Sequence, residues 1–279
     1  MHEKIIEYYN KCEFDYKLIW RLNRYYAIHY GFYDEKHKTH GEAVINFNRV
    51  LTEIAGIEST DRVLDAGCGI GGSSIWLAKN VHCNVVGISI TPEQVEKAKK
   101  LAEENGVSNL TNFYIQDYNK TSFPDKSFDV VWGLESICYA ESKKMFLQEA
   151  WRVLKDGGRL IVADGFLNKK PSSKKEEYYF NNWLEGWAVS NLTSINEFKN
   201  YLKNTGFQNI MLRNVTKNVM PSSKRMYLAT IFSYPLAKAM ELLGLRTRVE
   251  MKNMYSAFYQ YSCLKKGLWA YSIFCAKKP

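Results

Sequence analysis

Val63-Leu-Asp-Ala-Gly-Cys-Gly-Ile-Gly-Gly72 is the stretch that decides the fold. Its apolar start reads as a buried strand over 62–64, its glycines as a tight turn, and 73–79 as a helix. Lacking a Cβ, Gly67, Gly69 and Gly71/Gly72 let the backbone approach a ligand and adopt φ > 0. The helix start that follows offers unpaired N–H groups and a positive dipole end. Asp65 closes the strand. A loop of this kind holds a nucleotide-like ligand, and the flanks must say which one.

Downstream, short apolar runs alternate with helical patterns. Strands are expected at 62–64, 84–88, 110–115, 128–133 and 159–164, with helices at 73–79, 91–105 and 143–154 between them. Thr91-Pro92-Glu93-Gln94 is a helix start, with Thr91 as N-cap, Pro92 at N1 and Gln94 at N3. Asn105-Gly106 stops that helix, and Asp156-Gly157-Gly158 is a turn before the next strand. This alternation predicts an α/β fold with a parallel, doubly wound sheet, whose ligand binds beyond the carboxyl ends of the strands. Upstream, 1–28 and 42–55 read as helices, joined by the aromatic turn His29-Tyr30-Gly31-Phe32-Tyr33. Beyond 165 the composition shifts. A basic connector (168–175) leads to helices at 176–190 and 194–205, a strand at 209–215, a long apolar helix at 224–245 that Pro235 kinks or splits, a helix at 251–264 and a closing strand at 268–276. The expected organisation is 1–60 as N-terminal helices and lid, 61–168 as the ligand-binding core, and 169–279 as substrate-binding helices plus the closing strands.

The totals narrow the function classes. Among 279 residues, 46% are hydrophobic and 24% charged, ordinary for a globular chain. The six cysteines (Cys12, Cys68, Cys83, Cys138, Cys263, Cys275) show no CxxC or Cys/His spacing, so free thiols and no metal site are expected. The charged start carries no apolar leader and no run is long enough to span a bilayer, so a cytoplasmic protein is expected, monomeric or homodimeric. The net charge of +9 is uneven: residues 1–168 hold 20 Lys/Arg against 23 Asp/Glu, and residues 169–279 hold 18 against 6. That excess suits a solvated surface, an anionic substrate or peripheral contact with an anionic membrane. No zinc-finger spacing or RNP-type motif points to nucleic acid.

Gly67, Gly69 and Gly72 satisfy GxGxxG, yet a dinucleotide site also wants a carboxylate at the end of the second strand. Gly87-Ile88-Ser89 occupies that place. The motif instead resembles the first motif of class I S-adenosylmethionine-dependent methyltransferases. The resemblance runs on through Val85-Val-Gly-Ile-Ser-Ile-Thr-Pro-Glu-Gln94, Gln116-Asp117, Phe123-Pro-Asp-Lys-Ser-Phe-Asp-Val-Val-Trp132 and Arg152-Val-Leu-Lys-Asp-Gly-Gly-Arg-Leu160. It implies a Rossmann-like fold with S-adenosyl-L-methionine as cofactor. By position, Asp65, Gly67, Cys68 and Gly69 would line the methionine part. Ser89, with Ile90 and Gln94, would stand where many members place an acidic ribose ligand, as in sterol, tocopherol and cyclopropane-type members. Asp117 and Tyr118 would meet the adenine, and Leu134 and Glu135 the amino-acid end.

Methyl transfer from a sulfonium needs alignment above all, and a base only when the acceptor loses a proton. Glu135 is the candidate base, with Asp164 and Tyr139 as helpers. Aromatics make up 14% of the chain and gather outside the core motifs. Tyr25, His29, Tyr30, Tyr33, Cys138, Trp183 and Trp187 are therefore the expected substrate pocket, although packing alone accounts for any single one of them. Aromatic walls suit an apolar or cationic small molecule. The sequence thus predicts methyl transfer to a hydrophobic small molecule, with C-methylation of an isoprenoid, sterol or quinol-like acceptor ahead of O-methylation of a natural product. A non-catalytic cofactor-binding regulator is the reading from another class.

Overall fold

The computed structural model describes residues 2–279. Seven strands form one sheet: β1 (Arg62–Ala66), β2 (Asn84–Ser89), β3 (Thr111–Ile115), β4 (Phe128–Leu134), β5 (Leu154–Leu167), β6 (Gln208–Asn214) and β7 (Trp269–Lys277). Their order is β3-β2-β1-β4-β5-β7-β6. The first five run parallel, and β7 lies antiparallel to both β5 and β6. The helices are α1 (His2–Lys11), α2 (Glu13–Ile19), α3 (Leu22–Tyr25), α4 (His40–Ala55), α5 (Gly72–Asn80), α6 (Pro92–Glu104), α7 (Lys143–Val153), α8 (Lys174–Gly186), α9 (Ile195–Thr205), α10 (Thr216–Leu242) and α11 (Arg248–Lys265).

The sheet is covered on both faces, as a parallel sheet must be. Along β1, β4 and β5, Val63, Val130, Trp132 and Ile161 point to the side where Phe47 and Leu51 of α4 pack. Their neighbours Leu64, Val131, Leu160 and Val162 point to the other side, against Phe146, Leu147, Phe198 and Leu202 of α7 and α9. This period-two alternation fixes the register, because a slip of one residue would swap the two sets. Capping boxes start α4 (Thr39/Glu42), α9 (Ser194/Glu197) and α11 (Thr247/Glu250).

Several elements differ from the sequence reading. The expected single helix over 1–28 is three short ones: Cys12 separates the first two, Arg21 at positive φ separates the second from the third, and Tyr26 at positive φ ends the third; position 1 lies outside the described residues. The helix expected at 224–245 starts at Thr216 and stays one helix through Pro221 and Pro235. Pro235 is on the exposed side of the helix, as is Ile231, whose carbonyl loses its intrahelical donor, so the proline ring meets no packed neighbour that would force the helix apart. Thr91 is the N-cap of α6 but its side chain makes no capping bond. Ser89 instead ties the strand end to this turn: its Oγ accepts the Thr91 N–H at 3.1 Å and donates to Gln94 Oε1 at 2.9 Å. The expected turn at 156–158 is absorbed into the start of β5, which exchanges backbone hydrogen bonds with Lys278.

On the α9 side, Phe274 of β7 packs edge-on against Phe166 of β5 and at a tilt against Phe198 of α9, with ring centroids 5.1 and 5.0 Å away. This is where the antiparallel edge is fastened to the parallel core. Replacing Phe274 with Ala is expected to cost about 3–5 kcal/mol, read as a fall in the urea midpoint with an unchanged slope.

Candidate active site

The carboxyl ends of β1, β2 and β4 open onto a cavity of about 340 Å³. It collects all of the residues that the sequence assigns to the cofactor: Asp65, Gly67, Cys68, Gly69, Ser89, Ile90, Gln94, Asp117, Tyr118, Leu134 and Glu135. Asp65 is buried, accepts from Ser74 Oγ at 2.6 Å, and has its carboxyl pushed up to about 6 by that burial. Asp117 Oδ1 accepts from the Asn119 amide groups at 2.8 Å, while Tyr118 donates to the Ser136 carbonyl at 2.9 Å. Two glycines shape the loop. At Gly69, with φ +54°, an added Cβ would meet nothing within 4 Å, so the backbone there borders open space. At Gly72 a Cβ would run into the carbonyl oxygen of Tyr26, so only glycine lets the N-terminal segment lie across the loop.

A second cavity, of about 210 Å³, is walled mainly by apolar and aromatic side chains, among them Trp20, Trp183, Trp187, Met226, Met254 and Trp269. The two cavities share Tyr9, Ile28, Glu135 and Tyr139. Glu135 adopts φ +50°, a left-handed conformation that is strained for a side chain of this size. Its Oε1 accepts from the Tyr30 N–H at 2.7 Å and from the Tyr271 hydroxyl at 2.8 Å. Removal from water raises its pKa well above the ordinary carboxylate value, and these two donors only partly offset that. Asp164 is also raised by burial, and both of its oxygens are engaged: Oδ2 accepts the Cys138 N–H and Oδ1 the Gly165 N–H. It holds the 3₁₀ turn Ile137–Tyr139 in place, together with Lys143, whose buried Nζ donates to the Cys138 and Ala140 carbonyls.

The expected substrate pocket divides. Tyr30, Cys138, Trp183 and Trp187 line the apolar cavity, as Tyr139 and Asp164 do. His29 lines the cofactor cavity only. Its Nδ1 donates to the Tyr30 carbonyl at 2.8 Å, and burial lowers its pKa to about 4, so it is neutral. Tyr25 and Tyr33 line neither cavity. Tyr25 packs on His40 and Gly41, and the Tyr33 backbone bonds with Asn218. The aromatic cluster at 25–33 misled because its two ends turn away from the core on either side of Tyr30. The sequence reading missed Tyr9, Tyr271 and the buried pair Asp15–Arg246. In Tyr271 the only signal was its place in a fully apolar closing strand, where a hydroxyl needs a partner.

Comparison with known proteins decides what binds here. The methyltransferase domain family model matches residues 64–162. The chain is 31% identical to 27-O-demethylrifamycin SV methyltransferase of Amycolatopsis mediterranei, over 70% of this chain and 71% of that protein. The chain belongs to the S-adenosylmethionine-dependent methyltransferases. It is also 36% identical to 2-methyl-6-phytyl-1,4-hydroquinone methyltransferase of Synechocystis, over 64% of this methyltransferase but only 58% of that one. Among solved structures, geranyl diphosphate C-methyltransferase from Streptomyces coelicolor superposes with a TM-score of 0.75 at 19% identity, covering 100% of this chain and 97% of that one. At that identity the likeness is one of fold.

S-adenosylmethionine is thus the cofactor of this methyltransferase, and the open side of Gly69 is a direct handle on its binding. Gly69→Val fills that space, and the left-handed backbone is strained by about 1–2 kcal/mol. Cofactor affinity measured by calorimetry is expected to fall roughly tenfold or more. Unchanged affinity would remove this loop from the site.

Proposed function

We propose that this methyltransferase transfers a methyl group to a neutral, hydrophobic small molecule of the isoprenoid, sterol or quinol type, and that the bond formed is to carbon. The observation that carries the reading is the shared wall: a cofactor cavity and an aromatic, apolar cavity meet at Glu135, Tyr139 and Tyr9. The cofactor supplies an electrophilic sulfonium methyl when bound. Asp65, Gly67, Cys68, Gly69 and Leu134 would hold its amino-acid end, Ser89, Ile90 and Gln94 its ribose, and Asp117 with Tyr118 its adenine, all of them lining the one cavity. The chain's main contribution is then alignment of the acceptor in the neighbouring cavity.

Carbon acceptors develop positive charge and must lose a proton afterwards. The rings around the junction suit that charge, and Glu135 receives the proton. Its Oε1 is held by Tyr30 and Tyr271, which leaves Oε2 for the acceptor. Asp164 and Tyr139 position this base rather than replace it: Asp164 has no free oxygen, and Tyr139 packs on Tyr9 with centroids 5.8 Å apart. Neutrality of the acceptor follows from the charges that line its cavity. Arg246 is the cation there, and both oxygens of Asp15 already bind it, at 2.9 and 2.8 Å. With Asp15 and Arg246 paired to each other, the charged groups left in the lining are the carboxyls of Glu135 and Asp164, and no free cation among the described residues stands ready there for a diphosphate. O-methylation is the second reading, favoured by the name of the rifamycin relative.

Two tests follow. Labelled methyl transferred into host extract is expected in the neutral lipid fraction, bonded to carbon by mass and NMR analysis; label confined to phosphorylated compounds would overturn the reading. For the base, kcat/KM is expected to rise with pH through a value above the ordinary carboxylate range, since Glu135 must ionise to accept a proton. Glu135→Gln keeps the bonds to Tyr30 and Tyr271, should flatten that limb, and should lower kcat about 10²–10⁴-fold. The sign for stability is opposite. A raised carboxyl pKa costs stability as pH climbs past the unfolded value, so Glu135→Gln should melt no lower than the parent at alkaline pH.

A further inference from the structure

Between Met226 and Ala237 helix α10 carries no charged residue on any side, a pattern found where a helix is enclosed by protein or lipid. One face is enclosed: Val219, Met226, Thr230 and Ala237 are buried, beside α11. The opposite face is not. Leu228, Ile231, Phe232 and Leu236 recur at three- to four-residue spacing along it, Leu242 and the C-cap Leu243 extend the line at the helix end, and all are exposed. Phe232 is 81% exposed, Leu242 79% and Leu243 73%. This stripe runs about 22 Å along the helix, far more than scattered surface leucines need. It also continues into the apolar cavity. Leu236 lines that cavity, as do Phe14 and Leu18 of α2, which are 62% and 64% exposed at its rim.

Charge selects the occupant. Residues 216–252 hold seven Lys/Arg and two Asp/Glu. The stripe is bracketed by the exposed cations Lys224 at one end and Arg248 at the other. Lys224 and Arg248 are exposed and make no ion pair among the described residues. A second copy of this face would bring like charges together. An anionic bilayer offers the apolar interior that the stripe needs and the negative headgroups that its ends need. No described helix is long and apolar enough to cross a membrane, so the contact is an in-plane one.

We propose that the outward face of α10 docks this methyltransferase on an anionic lipid surface, with the mouth of the apolar cavity against the bilayer, so that a membrane-dissolved acceptor enters without passing through water. The purpose rests on the hydrophobic-acceptor reading, but the contact itself does not. It is measured with vesicles alone, without acceptor or cofactor, so failed methyl transfer and failed docking are told apart.

The experiment is co-sedimentation of the full chain with vesicles of phosphatidylcholine alone and of phosphatidylcholine with phosphatidylglycerol. Binding is expected to the mixed vesicles, to weaken at high salt, and to fall roughly tenfold or more in the double variant Phe232→Gln/Leu243→Gln. Neither residue lines a cavity, so cofactor affinity by calorimetry and the melting temperature should stay at parent values and certify the fold. No association with either vesicle would overturn the proposal. So would a parent dimer that the double variant converts to monomer while vesicle binding is unchanged, because the stripe would then belong to a second copy.

Discussion

One carboxylate oxygen joins three distant parts of the chain. Glu135 Oε1, at the end of β4, accepts from the backbone of Tyr30 in the N-terminal segment and from the hydroxyl of Tyr271 in the last strand. Hydrogen bonds to a charged acceptor contribute about 1.5–3 kcal/mol each. They offset a left-handed backbone costing about 1–3 kcal/mol and the removal of a carboxyl from water. The arrangement persists because its surroundings hold it on every side. Tyr30 donates to buried Gln260 of α11, which also receives Ser223 of α10. The group between the two cavities is thus tied to the helices that enclose the acceptor.

The core was legible because its signals are local. Alternating apolar runs, the glycine loop and the caps fix β1 to β5 and the residues at their carboxyl ends, so the whole cofactor set gathers in one cavity. Departures arose where the decisive contact is distant in sequence. Tyr271 matters through the register that sets Gly165 opposite it across the antiparallel pair, and no spacing near 271 encodes that register. The positive φ at Arg21 and Tyr26 on either side of α3 likewise serves a segment folded back over the glycine loop. The local rule for Pro235 predicts a kink or a split, and the helix continues because the proline stands on its exposed side.

The acceptor side was legible in composition and not in position. Aromatic abundance implies an apolar pocket, but which rings face it depends on how α1–α3, α8, α10 and α11 stack. Hence Tyr9 of α1 lines both cavities, while Tyr25 and Tyr33, set in a richer aromatic run, line neither.

The segment before α4 has a further consequence. His2 reaches Asp117 at 3.3 Å, the Tyr26 carbonyl rests on Gly72, and Asp15 is clamped by Arg246 at the far side. Tyr9 and Ile28 of that segment stand in the walls of both cavities. Donor and acceptor compartments therefore share a door, fastened at one end by a buried ion pair. A change in the lie of this one segment would therefore alter both compartments together, the donor's and the acceptor's.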